Sequence, residues 1–201
     1  MRKFLFVAAL LALLVPASAF AAPDRVGKWD VGFDLAGAIS TDSDLNSTVY
    51  VGANGSYGVN NWFAMGWSFG WQSFGEDSVL GISLPDVTSY PLFADFIFRL
   101  NNPNQKYVPY GVVGIGAIFW DVDDVTISGV TAQTDIDTSL GIKLGAGVDW
   151  FVNDNWMVNV DAHYVFTNAD TDINLVGTGI RVSDTSDLDY WHIGAGVKYL
   201  F

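Results

Sequence analysis

The chain ends on the stretch Tyr190–Phe201, which reads Y-W-H-I-G-A-G-V-K-Y-L-F. Counted back from Phe201, every second residue is apolar or aromatic, whereas the residues between them are small or polar except for Leu200. A period of two residues is the period of a β-strand with one apolar face. The stretch therefore predicts a terminal β-strand, which suits either the closure of a membrane barrel or burial in a soluble sandwich.

Seven earlier segments alternate in the same way, so that the sequence contains eight predicted strands. These segments are Trp29–Ser40, Val49–Val59, Phe63–Gln72, Tyr90–Leu100, Tyr107–Trp120, Leu140–Trp150 and Trp156–Phe166. In the fifth strand, Gly111, Gly114 and Gly116 leave both faces mostly apolar, so its phase is ambiguous and a β-bulge is expected there. Short turns and long loops alternate between the segments, as in an up-and-down barrel whose short turns and termini face the periplasm.

The residue types on the two faces indicate which face meets lipid. The polar face consists of Gly, Ala, Ser and Asn with a few charges, which suits a narrow interior better than a solvated exterior. The apolar face is rich in Trp and Phe, and aromatic side chains near the strand ends are expected to form two interfacial girdles. The predicted girdle residues are Trp29, Trp62, Trp150, Trp156, Tyr199 and Phe201 on the periplasmic side, and Trp71, Tyr90, Trp120, Phe166 and Trp191 outside. The sequence thus predicts an all-β fold, an eight-stranded antiparallel up-and-down transmembrane β-barrel.

The first residues have the pattern of a secretory signal peptide. Arg2 and Lys3 precede the apolar run from 4 to 15, and Ala19-Phe20-Ala21 fits a small-residue cleavage site. The apolar run is too short to span a bilayer, so no mature membrane helix is expected. The predicted division is a signal peptide over residues 1–21 and an outer-membrane barrel domain over residues 22–201.

Composition narrows the range of partners. The formal net charge of −13 argues against nucleic acid, since binding to phosphates requires basic patches. The chain has no cysteine, so no disulfide can stabilise the fold although the protein is exported. Half of the chain is hydrophobic, which a lipid-facing exterior explains.

Several motifs resemble those of small outer-membrane barrels, including the OmpW family. They are K-Y-V-P-Y-G-V-V-G-I-G from Lys106, G-A-G-V-D-W-F-V-N-D-N-W-M-V-N from Gly145 to Asn159, and the terminal pattern of Gly196, Tyr199 and Phe201. The resemblance implies a barrel with an apolar passage for small hydrophobic molecules. It also implies that Tyr199 and Phe201 act as an assembly signal for the outer-membrane assembly machinery. A structural or surface-interaction barrel of OmpX or OmpA type, which presents acidic loops and transports nothing, is the alternative.

Charged residues on the polar face are the first candidate site. They are Asp30, Asp34, Asp95, Asp149 and Asp161, with the cations Arg99, Lys143 and Lys198 and the histidines His163 and His192. Unpaired charges inside a narrow barrel would be very unfavourable, so ion pairs or water are expected around them. A structural network that plugs the lumen is the favoured interpretation, and a polar conduction path is the alternative.

The sequence predicts neither an enzyme active site nor a cofactor or metal site. No Ser or Thr lies two residues from His163 or His192, where a nucleophile could share their strand. The acidic cluster at Asp121, Asp123 and Asp124 lacks the spacing of a calcium loop. A solvated acidic surface is predicted for the long loops, with divalent cations bridging them to lipopolysaccharide phosphates as a further hypothesis.

Overall fold

The computed structural model describes residues 22–41, 47–75, 87–100, 106–122, 125–127, 130–175 and 180–201. Its strands are β1 (Trp29–Ser40), β2 (Thr48–Gly58), β3 (Phe63–Phe74), β4 (Val87–Arg99), β5 (Tyr107–Val122), β6 (Val125–Ile127), β7 (Val130–Ile136), β8 (Ser139–Phe151), β9 (Trp156–Leu175), β10 (Ile180–Asp187) and β11 (Tyr190–Leu200). Among these residues there is no helix long and apolar enough to cross a membrane. The predicted signal peptide, residues 1–21, lies outside the described ranges.

Eight strands close into an antiparallel barrel in the order β1-β2-β3-β4-β5-β8-β9-β11. The terminal strand β11 completes the ring, because it pairs with β9 on one side and with β1 on the other. Closure leaves the barrel without a free sheet edge, which is the condition for placing β-structure in hydrocarbon. The predicted eight-stranded antiparallel barrel is confirmed.

Alternate residues along each strand point into the barrel or out of it, as the sequence pattern predicts. Phe33 and Leu140 on the outer face are 74% and 66% exposed, whereas Ala38 and Met157 on the inner face are fully buried. Large apolar side chains are exposed all around the ring. So extensive an apolar surface is far larger than a soluble monomer presents to water.

Aromatic side chains group at the end that carries the first and last described residues and the short turns at 59–62 and 152–155, called here the periplasmic end. Tyr199 packs edge-to-face on Trp156 and on Phe201, with ring centroids 4.9 and 5.1 Å apart. At the opposite end, the predicted position of Trp120 in the outer girdle is wrong. Its side chain faces the lumen and donates from Nε1 to Ser139 Oγ at 2.9 Å, and Phe119 takes the outward position.

The bulge predicted in β5 is absent. Pairing with β4 runs without interruption from Val122 to Tyr110 of β5, and pairing with β8 is continuous from Tyr107 to Ile118. Gly114 and Gly116 serve close packing instead. A Cβ on Gly116, for example, would lie 2.0 Å from the carbonyl oxygen of Leu92 on β4.

The sequence predicted that the long connections are loops, but the structure shows that they also contain strands. Strand β9 continues past Phe166 to Leu175 and pairs there with β7 on one side and β10 on the other, and β6 extends this small sheet beyond β7. Hydropathy gives no sign of these strands because a sheet outside the membrane needs no lipid-facing side. Of the acidic loop residues predicted to form a solvated surface, Asp42, Asp44, Glu76, Asp77, Asp86, Asp123 and Asp124 lie outside the described residues.

Candidate functional site: the barrel lumen

The periplasmic half of the lumen holds a cluster of buried ion pairs, called here the ionic floor. Asp149 on β8 accepts from Lys198 Nζ at 3.0 Å, and Asp30 on β1 accepts from Arg99 Nη2 at 3.2 Å. Arg25, which precedes β1, joins the two pairs by donating to Asp149 at 2.6 Å and to Asp30 at 2.7 Å. All of these side chains are at most about a tenth exposed, so each charge depends on its partners rather than on water.

Neutral donors complete the floor around Asp30. Ser56 Oγ donates to Asp30 at 2.8 Å and accepts from Arg99 Nη2 at 2.7 Å. Lys198 also lies 5.0 Å from the ring centroid of Tyr110, which places its ammonium over an aromatic face. The cations of the floor are therefore held on several sides.

A separate ion pair crosses the middle of the lumen. Lys143 on β8 lies 2.8 Å from Asp95 on β4 and donates to Ser68 Oγ on β3, also at 2.8 Å. Its ammonium stands 5.0 Å from the ring centroid of Phe93. The pair links strands that are not adjacent in the ring, since β5 lies between β4 and β8.

Two further carboxylates rely on amides. Asn54 Nδ2 donates to Asp34, and Asn159 Nδ2 donates both to Asp34 at 3.2 Å and to Asp161 at 2.8 Å. Asp161 also lies 3.6 Å from His163 Nδ1. The Asp34–Asp161 pair therefore lies between the ionic floor and the histidines.

The two histidines form the upper limit of the polar region. His163 Nε2 and His192 Nδ1 share a hydrogen bond of 2.8 Å, and His192 Nε2 lies 2.6 Å from Gln72 Oε1. An amide oxygen only accepts, so Nε2 of His192 carries a proton, and in the neutral imidazole its Nδ1 then accepts from His163. Gln72 in turn donates to Ser89 Oγ at 3.0 Å. The two imidazole rings are hydrogen-bonded to each other, and His192 is also bonded to Gln72, which is not a nucleophile. This arrangement suits a structural role for the pair.

The extracellular half of the lumen has a different lining, called here the apolar half. Its largest group is a cluster of small, aliphatic and aromatic side chains that are at most 8% exposed, namely Ala36, Ala38, Tyr50, Phe74, Phe93, Ile118, Val165 and Tyr190. Four buried polar side chains that are hydrogen-bonded to neighbours lie beside this cluster, namely Gln72, Ser89, Ser139 and Thr167. Trp120 packs against this cluster. Between the apolar half and the floor lies a cavity of about 70 Å³, large enough for a few water molecules.

The hydrogen-bonded ladder between β3 and β4 lacks two pairs beside the apolar half, although its register is the same on both sides. The β3–β4 ladder runs from Phe63–Phe98 to Phe69–Leu92 and resumes at Gln72–Ser89. The skipped positions are Gly70 and Trp71, which lie opposite Pro91 and Tyr90. Proline has no backbone N–H to donate to a ladder, which accounts for the gap.

All ten lumen residues named from the sequence point inward, but they form separate groups. Asp30, Arg99, Asp149 and Lys198 belong to the ionic floor, Asp95 and Lys143 form the crossing pair, and the other four form the chain from Asp34 to His192. Arg25 was missed because it lies outside the alternating segments. A shortage of cations could have indicated it, since five inward carboxylates face only three inward strand cations. Within the described residues, no three His, Cys, Asp or Glu side chains form a metal site.

Comparisons with known proteins agree with this architecture. The structure is similar to the crystal structure of OprG from Pseudomonas aeruginosa, with a TM-score of 0.77, 16% identity, and coverage of 89% of this chain and 98% of that one. It is also similar to the solid-state NMR structure of AlkL in lipid bilayers (TM-score 0.65, 19% identity, 92% and 94% covered) and to the solution structure of Escherichia coli outer membrane protein W (0.58, 18%, 88% and 99%). At these identities the likeness shows a common fold.

Sequence comparison adds a relative and a family. An uncharacterised outer-membrane protein of Sinorhizobium fredii is 35% identical over 69 residues, a match that covers 33% of this chain and only 29% of that protein. The family model described as outer membrane protein beta-barrel domain matches residues 7–201. With this match and the closed, apolar-faced ring, the chain belongs to the outer membrane protein beta-barrel domain family and is an outer-membrane protein.

Proposed function

We propose that the chain is an uptake barrel for small apolar molecules, which enter the apolar half from outside and leave sideways into the membrane. The observation that supports this most directly is the change of lining along the lumen, from the apolar half to the ionic floor. An apolar solute gains free energy by leaving water for the apolar half. It gains nothing by separating buried ion pairs, so the floor turns it away from the periplasm.

The two missing ladder pairs between β3 and β4 mark the place of the exit. On its inner side, the ring of Tyr50 lies directly against Gly70, where a Cβ would come within 2.0 Å of Tyr50 Cε2. The same ring and Pro91 both line the cavity. Movement of the Tyr50 ring would therefore connect the cavity with the unpaired stretch of the wall and, beyond it, with lipid.

A reversible cross-link tests this route. The chain has no cysteine, so the double variant Trp71→Cys/Tyr90→Cys places a single disulfide across the gap. The matched control is Met65→Cys/Phe96→Cys, which joins the same two strands where they are paired. In a strain that lacks the native protein, uptake of a small fluorescent apolar probe should be lost on oxidation of the first pair and restored by reductant. Undiminished uptake with the gap locked would exclude the lateral route, as would equal loss in the control.

One observation favours a second function, a structural or surface-interaction barrel. Side chains fill the apolar half closely enough that the cavity holds only about 70 Å³. A barrel that carries nothing would need no larger space. If cells with and without the protein take up the probe equally, the structural function is the better one.

The terminal strand supports a proposal about assembly. Phe201 ends the chain and is 63% exposed, and Tyr199 shares its outward face. We propose that these two residues are read by the barrel assembly machinery before the ring closes. Phe201→Ala should lower the fraction of protein that reaches its folded form in the membrane, whereas Phe33→Ala, which changes an outward residue in the middle of β1, should not.

A further inference from the structure

The segment from Ala22 to Lys28 lies across the periplasmic mouth of the barrel. Ala22 packs against the apolar cluster of Val108, Phe151, Met157 and Leu200 at that end. Arg25 is only 3% exposed although it belongs to no strand. Predicted cleavage after Ala21 would make it the fourth residue of the mature chain. A charged residue so near a chain end normally remains in solvent, so its burial calls for an explanation.

The guanidinium of Arg25 reaches across the lumen. It binds Asp149 on β8 at 2.6 Å and Asp30 on β1 at 2.7 Å, and these strands are separated in the ring by β9 and β11. Its Cζ also stands 5.6 Å from the ring centroid of Phe151. The fork of an arginine suits such a link, because it presents several donors in one rigid plane.

The end of β2 at Gly58 provides the docking position for the segment. Gly27 donates its backbone N–H to Gly58 O at 2.8 Å, and Gly58 donates to Lys28 O at 3.0 Å. Gly27 has a positive φ of 71°, which turns the chain into the mouth. A Cβ on Gly58 would lie 2.0 Å from the carbonyl oxygen of Arg25, so only glycine at position 58 allows this approach.

The segment also contributes to the balance of charges inside the lumen. The described strands carry five inward carboxylates and three inward cations, and Arg25 supplies a fourth cation from outside the strands. Yet the segment is short, lies at the predicted start of the mature chain, and docks at one strand end. Such peripheral segments open at a lower free energy than the barrel as a whole.

We propose that residues 22–28 form a latch that docks reversibly in the periplasmic mouth and, through Arg25, seals the lumen against ions. The docked latch completes the ionic floor. When it leaves, the two carboxylates of the floor face water, and a narrow polar path opens toward the cavity.

Single-channel recording in planar bilayers tests the latch. Arg25→Met keeps the length of the side chain but removes its charge and donors, and Lys28→Met makes the same change at a partly exposed position of the same segment. The wild type and Lys28→Met should stay closed almost all of the time. Arg25→Met should spend about tenfold more time or longer in a conducting state, since Arg25 makes two charge-assisted hydrogen bonds and the loss of even one shifts an equilibrium by at least that factor. Millimolar guanidinium added on the periplasmic side should close the variant again.

Each outcome decides the matter, provided that unheated and boiled samples still differ in gel mobility as folded barrels do. A folded Arg25→Met that is as silent as the wild type, or a Lys28→Met that conducts equally, overturns the proposal. Failure of Arg25→Met to fold overturns it too, because the segment would then be part of the folding core. The result is separate from uptake, because conductance is recorded without the apolar probe and Lys28→Met, which lies outside the floor, should take up that probe at the wild-type rate.

Discussion

The two halves of the lumen share one barrel wall but are held together by different forces. The ionic floor depends on directed contacts, such as Arg25 with Asp30 and Asp149, in which each charge needs its particular partner. The apolar half depends on undirected packing of side chains such as Tyr50, Phe74 and Ile118. Apolar contacts can be exchanged for others at small cost, whereas a separated buried ion pair leaves a charge exposed to a medium that cannot solvate it. One barrel can therefore be closed at one end and adaptable at the other.

The largest effect is expected from removing one charge of the floor. Asp149→Asn keeps the shape of the side chain but leaves Arg25 and Lys198 without their shared carboxylate. Breaking a buried ion pair in this way destabilises by about 3–5 kcal/mol. Denaturant unfolding in lipid vesicles, followed by tryptophan fluorescence, measures the free energy of unfolding. Asp154→Asn, in the exposed turn between β8 and β9, should change it by less than about 0.5 kcal/mol. Equal effects of the two substitutions would mean that the floor is hydrated and not a closed ionic cluster.

A smaller effect is expected at the boundary between the halves. Gln72→Leu removes the acceptor of His192 Nε2 and should cost about 1–3 kcal/mol, because it leaves a buried donor without a partner. Adding His192→Leu should recover part of this loss, since it removes the orphaned Nε2 donor, while His163 Nε2 and Ser89 Oγ still lack their partners. The double-mutant cycle gives the coupling energy directly. Purely additive losses would show that the histidine and the amide act independently and do not mark a boundary.

Hydropathy alternation was enough to predict the ring, its inward face and the inward charges, because in a barrel each side chain meets either lipid or lumen. It could not predict the ion pairs. Lys143 and Asp95, for instance, come from strands that are not adjacent, and their meeting depends on the stagger of the whole ring. Arg25 was missed because the segment before β1 has no alternation to read. Strand β9 was cut short because its outer part carries no apolar face, and the glycines of β5 were taken for a bulge although they make room for neighbours.

The smallest effect measures how freely the apolar half adapts. Ile118→Val in the lumen and Ile142→Val on the lipid face each remove one methylene, from side chains that are 0% and 46% exposed. Both lose about 0.8 kcal/mol of transfer free energy. Lipid closes over the missing group at position 142, so the difference between the two variants reports the cavity left at position 118. In a rigid core, about 25 Å³ of cavity would add about 0.6 kcal/mol at about 24 cal/mol per Å³.

We expect a difference clearly below that value, because the side chains that must move aside for a solute can also move in to fill a space. The same unfolding measurement in vesicles gives both numbers. A full 0.6 kcal/mol or more would mean that the apolar half packs as rigidly as a soluble core. The structural function would then be favoured over uptake. In so rigid a half, Tyr50 could not leave Gly70 without opening a void that no other side chain fills.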